Sequence, residues 1–155
     1  MSDKSSLGMA LTLLDIPLFA GLKDKELRTV AGAFREATYN QGTAILHEGD
    51  ESPDFFILVK GKVQISRAGQ ILATLAPYEF FGELTSLGFQ RYATAEVMAQ
   101  EPCTCIVSGR DKFERMLESN PPVAKRFLKN MRDRYQNENP EGRALDKALE
   151  AINKD

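Results

Sequence analysis

This 155-residue chain has a single histidine, His47, and two cysteines, and nowhere strings together the roughly 20 apolar residues that cross a membrane. Each scarcity excludes a class of function. A metal enzyme on a small β-barrel needs a cluster of histidine and carboxylate ligands, which one histidine does not supply. The same residue has no serine or cysteine partner evident in the sequence with which to form a nucleophile and base pair, so neither catalytic residues nor a metal are expected, and the chain is read as no enzyme. His47 sits beside "EGD" and reads as a solvated loop residue. The cysteines, Cys103 and Cys105, are one residue apart, so a strand would turn both to one face; they read as buried free thiols of a reducing compartment, not as a disulfide scaffold. Charge of one sign is also missing. Twenty basic residues nearly balance 22 acidic ones for a net charge of -2, so nothing draws the whole molecule to nucleic acid or an anionic membrane. The apolar segment "LGMALTLL" at 7–14 is short, follows an Asp and a Lys, and has the spacing of a helix, not of a secretory leader. A cytoplasmic setting is expected.

At 43% hydrophobic residues the chain can build one compact core. Residues 1–36 read as helices. Leu7, Leu11 and Leu14 share one face, and after "DIPLFAGL" the stretch "DKELRTVAGAFRE" places Leu27, Val30 and Phe34 at helical spacing behind Asp24, a candidate N-cap. From 37 to 109 the period changes to short β-branched and aromatic runs, "FFILV", "KVQIS", "ILATL", "ATAEVMA" and "CTCIV", separated by "GDESPD", "KGK", "RAGQ" and "EP". Strands at that interval with few helices between them predict an antiparallel sandwich or barrel.

Helices return over 110–155. Ser108 and Asp111 have the spacing of a capping box, and Asn120 precedes Pro121 as the N-cap of a helix over 121–137. That helix carries an apolar stripe, Val123, Phe127, Leu128, Met131 and Tyr135, which must bury against either the barrel mouth or a second subunit. Its charges mix signs and read as a solvated face. A last short helix is expected in "RALDKALEAI". The twenty residues after Tyr135 are expected to hold no helix-turn-helix, hence no attached DNA reader.

The stretch "FFGELTSLGFQRYAT", residues 80–94, carries the chemistry. Gly82 lies where strand passes into a short helix, a place for close backbone approach and for first-turn amides facing an anion. Glu83 repels phosphate but accepts well from a sugar hydroxyl. Arg91, nine positions beyond Gly82, has the planar fork suited to two phosphate oxygens. Together they describe a pocket for a compact anionic nucleotide. The plainer reading is an ion pair between Glu83 and Arg91 that holds the segment together.

Three stretches in order, "IPLFAGLKDKELRTVA", "ILHEGDESPDFFILVKGKVQI" and "FFGELTSLGFQRYATAEVMA", resemble the cyclic nucleotide-binding domain of the catabolite activator protein, protein kinase A regulatory subunits and cyclic-nucleotide-gated channels, over about residues 16–135. The resemblance implies an α+β fold: an antiparallel jelly-roll β-barrel of about eight strands flanked by N- and C-terminal helices, all one structural domain. Residues 81–94 would be its phosphate-binding cassette. Phe81 would open it among the ligand contacts, Gly82, Leu84 and Thr85 would offer backbone amides, Glu83 would take the ribose 2′-hydroxyl, and Arg91 would pair the cyclic phosphate. Tyr92 and Ala93 stand where the family supplies further phosphate contacts. Gly49 and Gly61 match structural turn glycines. The helix over 121–137 would be the lid, with Arg132 and Tyr135 as candidates for covering the base.

The chain departs from many relatives in two ways: the interval from glycine to arginine is one residue shorter, with Gln90 where those have proline, and Tyr92 replaces a small hydroxyl residue that favours guanine. The expectation is therefore a regulatory sensor of a cyclic mononucleotide, cyclic AMP ahead of cyclic GMP or another cyclic nucleotide, signalling through its C-terminal helices to a protein partner. A homodimer through the C-terminal stripe is expected, with no nucleic acid and no membrane. The alternative is a protein-interaction or dimerisation module that keeps the barrel and has lost the nucleotide.

Overall fold

The computed structural model describes residues 2–135, with side chains from Leu7 onward; the expected helix in "RALDKALEAI" and the end of the 121–137 helix lie outside the described residues. Helix α1 (Ser2–Leu14), a 3-10 turn (Pro17–Phe19) and α2 (Asp24–Ala31) precede the strands β1 (Arg35–Tyr39), β2 (Ala44–Leu46), β3 (Phe55–Lys60), β4 (Val63–Arg67), β5 (Gln70–Leu75) and β6 (Phe80–Phe81). The short helix α3 (Glu83–Ser86) then leads to β7 (Glu96–Ala99), β8 (Cys103–Ser108), α4 (Arg110–Ser119) and α5 (Pro121–Tyr135).

The strands pair antiparallel in two four-stranded sheets, ordered β1-β8-β3-β6 and β2-β7-β4-β5. The eight strands and the flanking helices agree with an α+β fold, but the sheets do not close into a barrel. The edge strands β6 and β2 have two and three residues, too few to carry a ladder from one sheet to the other. Strand β1 begins at Arg35, inside the region read as helical, because Gly32 ends α2 early.

Strand β3 explains why its sequence reads as a continuous apolar run. Phe55 and Ile57 face the helices, whereas Phe56 and Leu58 face the second sheet, so both faces are buried. Cys103 and Cys105 lie together on the inter-sheet face as free thiols. Burial, and secondarily the nearby Cys103, push the Cys105 thiol up to about 12. Between β3 and β4 the turn glycine Gly61 has φ 100°, and a Cβ there would stand 2.6 Å from the Pro102 carbonyl oxygen.

The helix-facing core is a cluster of phenylalanines. Phe55 stacks on Phe113 of α4 at 4.1 Å and meets Phe127 of α5 edge-on at 5.5 Å, while Phe127 lies 5.0 Å from Phe80 of β6. Val123, Phe127, Leu128 and Met131 are all buried in it. These four residues of the α5 stripe are thus covered by their own chain, through packing against β3, β6 and α4. Leu7, Leu11 and Leu14 of α1, by contrast, are exposed.

Two caps differ from expectation, and Asn120, placed as expected before Pro121, does more than cap α5. Lys23, not Asp24, is the N-cap of α2, and its N–H donates to Glu26 at 2.9 Å. Gly109 precedes α4, while the Ser108 hydroxyl turns to the Gly109 carbonyl. Asn120 is buried and its side-chain amide donates to the Met116 carbonyl at 2.8 Å, so it closes the end of α4 while its own carbonyl accepts from Ala124 in α5. One residue joins the two helices rigidly.

Two outcomes follow from this packing. Phe127→Ala is expected to cost about 3–5 kcal/mol in chemical denaturation, because it empties the centre of the aromatic cluster. Both thiols are expected to stay unreactive toward an aromatic disulfide reagent at pH 8 in the native protein and to react together once denaturant unfolds it.

Candidate functional site

The site is built around a turn that only glycine makes easily. Gly82 follows β6 with φ 80°, and a Cβ on it would lie 2.7 Å from the Asp54 carbonyl oxygen and 3.0 Å from Phe56. The backbone therefore presses against the start of β3 and turns at once into α3. The consequence is that Glu83, the first residue of α3, is carried inside: it is 2% exposed. A carboxylate so placed requires partners.

Its partners come from the last turn of α5. The Tyr135 hydroxyl donates to Glu83 Oε1, and Arg134 Nη1 lies 3.4 Å from the same oxygen. Arg134 also donates to the Phe80 carbonyl, and its guanidinium stands 5.4 Å over the Phe80 ring and 5.8 Å over the Tyr135 ring. Glu83 and Arg91 are not paired with each other. Arg91 Nε meets Glu51 Oε1 at 3.2 Å with the Arg91 side chain 74% exposed, and its guanidinium lies 5.3 Å over the Tyr92 ring.

Beside these contacts lies a half-open cavity of about 80 Å³. Phe81, Gly82, Glu83, Leu84 and Thr85 form its cassette side, and Ala93, Thr94 and Ala95 face it from the end of the cassette. Leu46, Ile65 and Val97 give it an apolar wall on the second sheet, and Arg134 and Tyr135 close it. Arg91, Tyr92 and Arg132 do not line it. The Ala93 amide donates to the Asp50 carbonyl at 2.8 Å, and the Gly49 amide donates to the Ala93 carbonyl at 2.8 Å, so the "HEGD" turn brackets this end of the cassette.

Two residues that sequence reasoning missed hold the site. Arg110, at the start of α4, donates to the carbonyls of Ser86 at 3.0 Å and Thr85 at 2.6 Å, satisfying the buried C-terminal end of α3. Nothing local signals this bond, which spans 24 and 25 positions. Arg134 had a signal: it lies three residues after the buried Met131, on the same helix face, and its side chain is 26% exposed. Among the described residues no group of three or more histidine, cysteine, aspartate or glutamate side chains is placed to hold a metal. No described helix is long and apolar enough to cross a membrane.

Comparison with known proteins agrees on one likeness. A family model described as the cyclic nucleotide-binding domain matches residues 36–120. Glutaminase 1 of Bradyrhizobium diazoefficiens is 32% identical over 120 residues, covering 77% of this chain and 19% of that protein. A cAMP-dependent protein kinase regulatory subunit of Yarrowia lipolytica is 29% identical over 108 residues, covering 68% of this chain and 28% of that one. The chain thus spans less than a third of the length of these relatives. A solved structure of PKAR CBD2 bound to Sp-2Cl-cAMPS superposes with a TM-score of 0.71 at 26% identity, covering 84% of this chain and 89% of that one.

The Tyr135 hydroxyl ties the end of α5 to the cassette, and its loss tests that tie. Tyr135→Phe is expected to speed amide hydrogen exchange several-fold across Met131–Tyr135 while lowering global unfolding free energy by about 1 kcal/mol.

Proposed function

The chain belongs to the cyclic nucleotide-binding domain family, and from that premise we propose that it is a regulatory sensor of a cyclic mononucleotide, cyclic AMP first, read out by the last turn of α5. The observation that carries this reading is the buried Glu83, whose side-chain partners Tyr135 and Arg134 sit on that turn. A ribose hydroxyl is a donor of the same kind as the Tyr135 hydroxyl. Ligand and helix therefore compete for one carboxylate, and occupancy of the cavity is coupled to the position of α5.

Size supports the coupling. Sites for small molecules run to about 300–1,000 Å³, so a cavity of about 80 Å³ admits a nucleotide only when Arg134 and Tyr135 withdraw. Once the ligand is seated, the Tyr135 ring is free to cover the base, with Arg132 one turn-edge away on the same helix. Arg91 turns inward from Glu51 to the phosphate. The exposed pair it leaves is worth about 0–1 kcal/mol, less than a charge-assisted pair with a phosphate returns. Phe127, which touches both Phe80 beside the cassette and Phe113 of α4, holds the body of the helix while its last turn moves. The ligand leaves chemically unchanged, and the signal passes to a protein partner.

A second reading is favoured by the outward Arg91 and the small cavity: a protein-interaction module on the same fold that no longer takes nucleotide. Titration calorimetry of nucleotide-stripped protein with cyclic AMP, cyclic GMP and cyclic di-GMP separates the two. The sensor reading expects a Kd of about 1 μM or tighter for cyclic AMP, weakened about 10- to 100-fold in Arg91→Ala with an unchanged unfolding midpoint. Silence toward all three ligands overturns it and leaves the interaction module.

A further inference from the structure

The cavity contains a hydrogen-bond donor held in place from outside. Arg67, the last residue of β4, reaches Thr94 with two nitrogens: Nε donates to the Thr94 carbonyl at 2.9 Å and Nη2 donates to the Thr94 hydroxyl at 3.2 Å. Thr94 is half-buried and lines the cavity. A hydroxyl has one proton to give, and one that already accepts from a guanidinium is polarised toward giving it. Among the described residues no acceptor is bonded to that proton. Because the same fork holds the Thr94 carbonyl, the backbone cannot turn the residue away.

Thr94 sits where the end of the cassette joins the apolar wall of the second sheet. Ile65 pairs with Val97 across β4 and β7, and both line the cavity. Arg67 lies two residues after Ile65, and Thr94 three before Val97, so the clamp prolongs the apolar wall of the second sheet. Glu83 belongs to α3, which follows β6 of the first sheet. A flat base suits the apolar wall, while sugar and phosphate suit the polar cassette.

Resting on the sensor reading above, we propose that Thr94 is a base-recognising residue that donates its hydroxyl proton to N7 of a bound purine, with Arg67 as its positioning residue. Adenine and guanine both carry N7 as an acceptor. The contact therefore selects purine cyclic nucleotides as a class and leaves the choice between the two to other residues.

The test pairs a deletion in the ligand with one in the protein. Titration calorimetry compares cyclic AMP with its 7-deaza analogue, in which N7 is replaced by carbon, on the unmodified protein, Thr94→Val, Thr94→Ser and Arg67→Met. The unmodified protein and Thr94→Ser are expected to bind the 7-deaza analogue about five- to tenfold more weakly than cyclic AMP. Thr94→Val should bind cyclic AMP weaker by the same factor and no longer tell the two ligands apart, and Arg67→Met should discriminate less than the unmodified protein. Equal affinity of the unmodified protein for both ligands overturns the proposal without requiring any variant. So does a Thr94→Val protein that still discriminates. If the unmodified protein binds neither ligand nor any other cyclic nucleotide, the sensor reading itself has failed, which is a different result.

Discussion

The carboxylate of Glu83, buried at the head of α3, is the constraint around which the rest of the site is arranged. Its position follows from Gly82, whose left-handed backbone lets the chain pass within contact of Asp54 and Phe56 and turn directly into the helix. Once the charge is inside, leaving it without donors would cost several kcal/mol. The last turn of α5 supplies the donors. An electrostatic debt made at position 83 is thus met 51 and 52 residues later by Arg134 and Tyr135.

That arrangement works because α5 is anchored firmly everywhere else. Phe127 is locked among Phe55, Phe80 and Phe113. Asn120 ties the end of α4 to the beginning of α5 through one side-chain and one backbone bond. Arg110 fastens α4 in turn to the far end of α3. The helix is rigid where it meets the aromatic cluster and held by only a few polar contacts where it meets Glu83. Such a gradient, apolar packing at one end and exchangeable hydrogen bonds at the other, is what a helix needs to respond to a small ligand without unfolding.

Much of the architecture was legible from residue order. The runs at "FFILV", "KVQIS", "ILATL" and "CTCIV" fall within a residue or two of β3, β4, β5 and β8, because β-branched and aromatic residues between turn signals leave few alternatives. Strand β2 escaped notice because three residues carry no detectable period. Barrel closure was not met, since pairing between sheet edges depends on edge length and twist, which no local pattern encodes. The caps at Lys23 and Gly109 were misread for a related reason: several residues stood near each helix start, and three-dimensional neighbours chose among them.

At the site, the identity of the residues was readable and their partners were not. Gly82 and Glu83 announced themselves as a backbone-close turn followed by a charge heading inward, and Cys103 and Cys105 as two thiols on one strand face. Those properties depend on conformation within a few residues, which side-chain type and spacing determine. Whether Glu83 would meet Arg91 or Arg134, whether Arg91 would point into the cavity or out to Glu51, and whether the α5 stripe would cover its own chain or another were decided by tertiary structure alone. Each is a choice between partners tens of residues apart in the chain, and only the packing of the two sheets against α4 and α5 brings one of them within reach and removes the other.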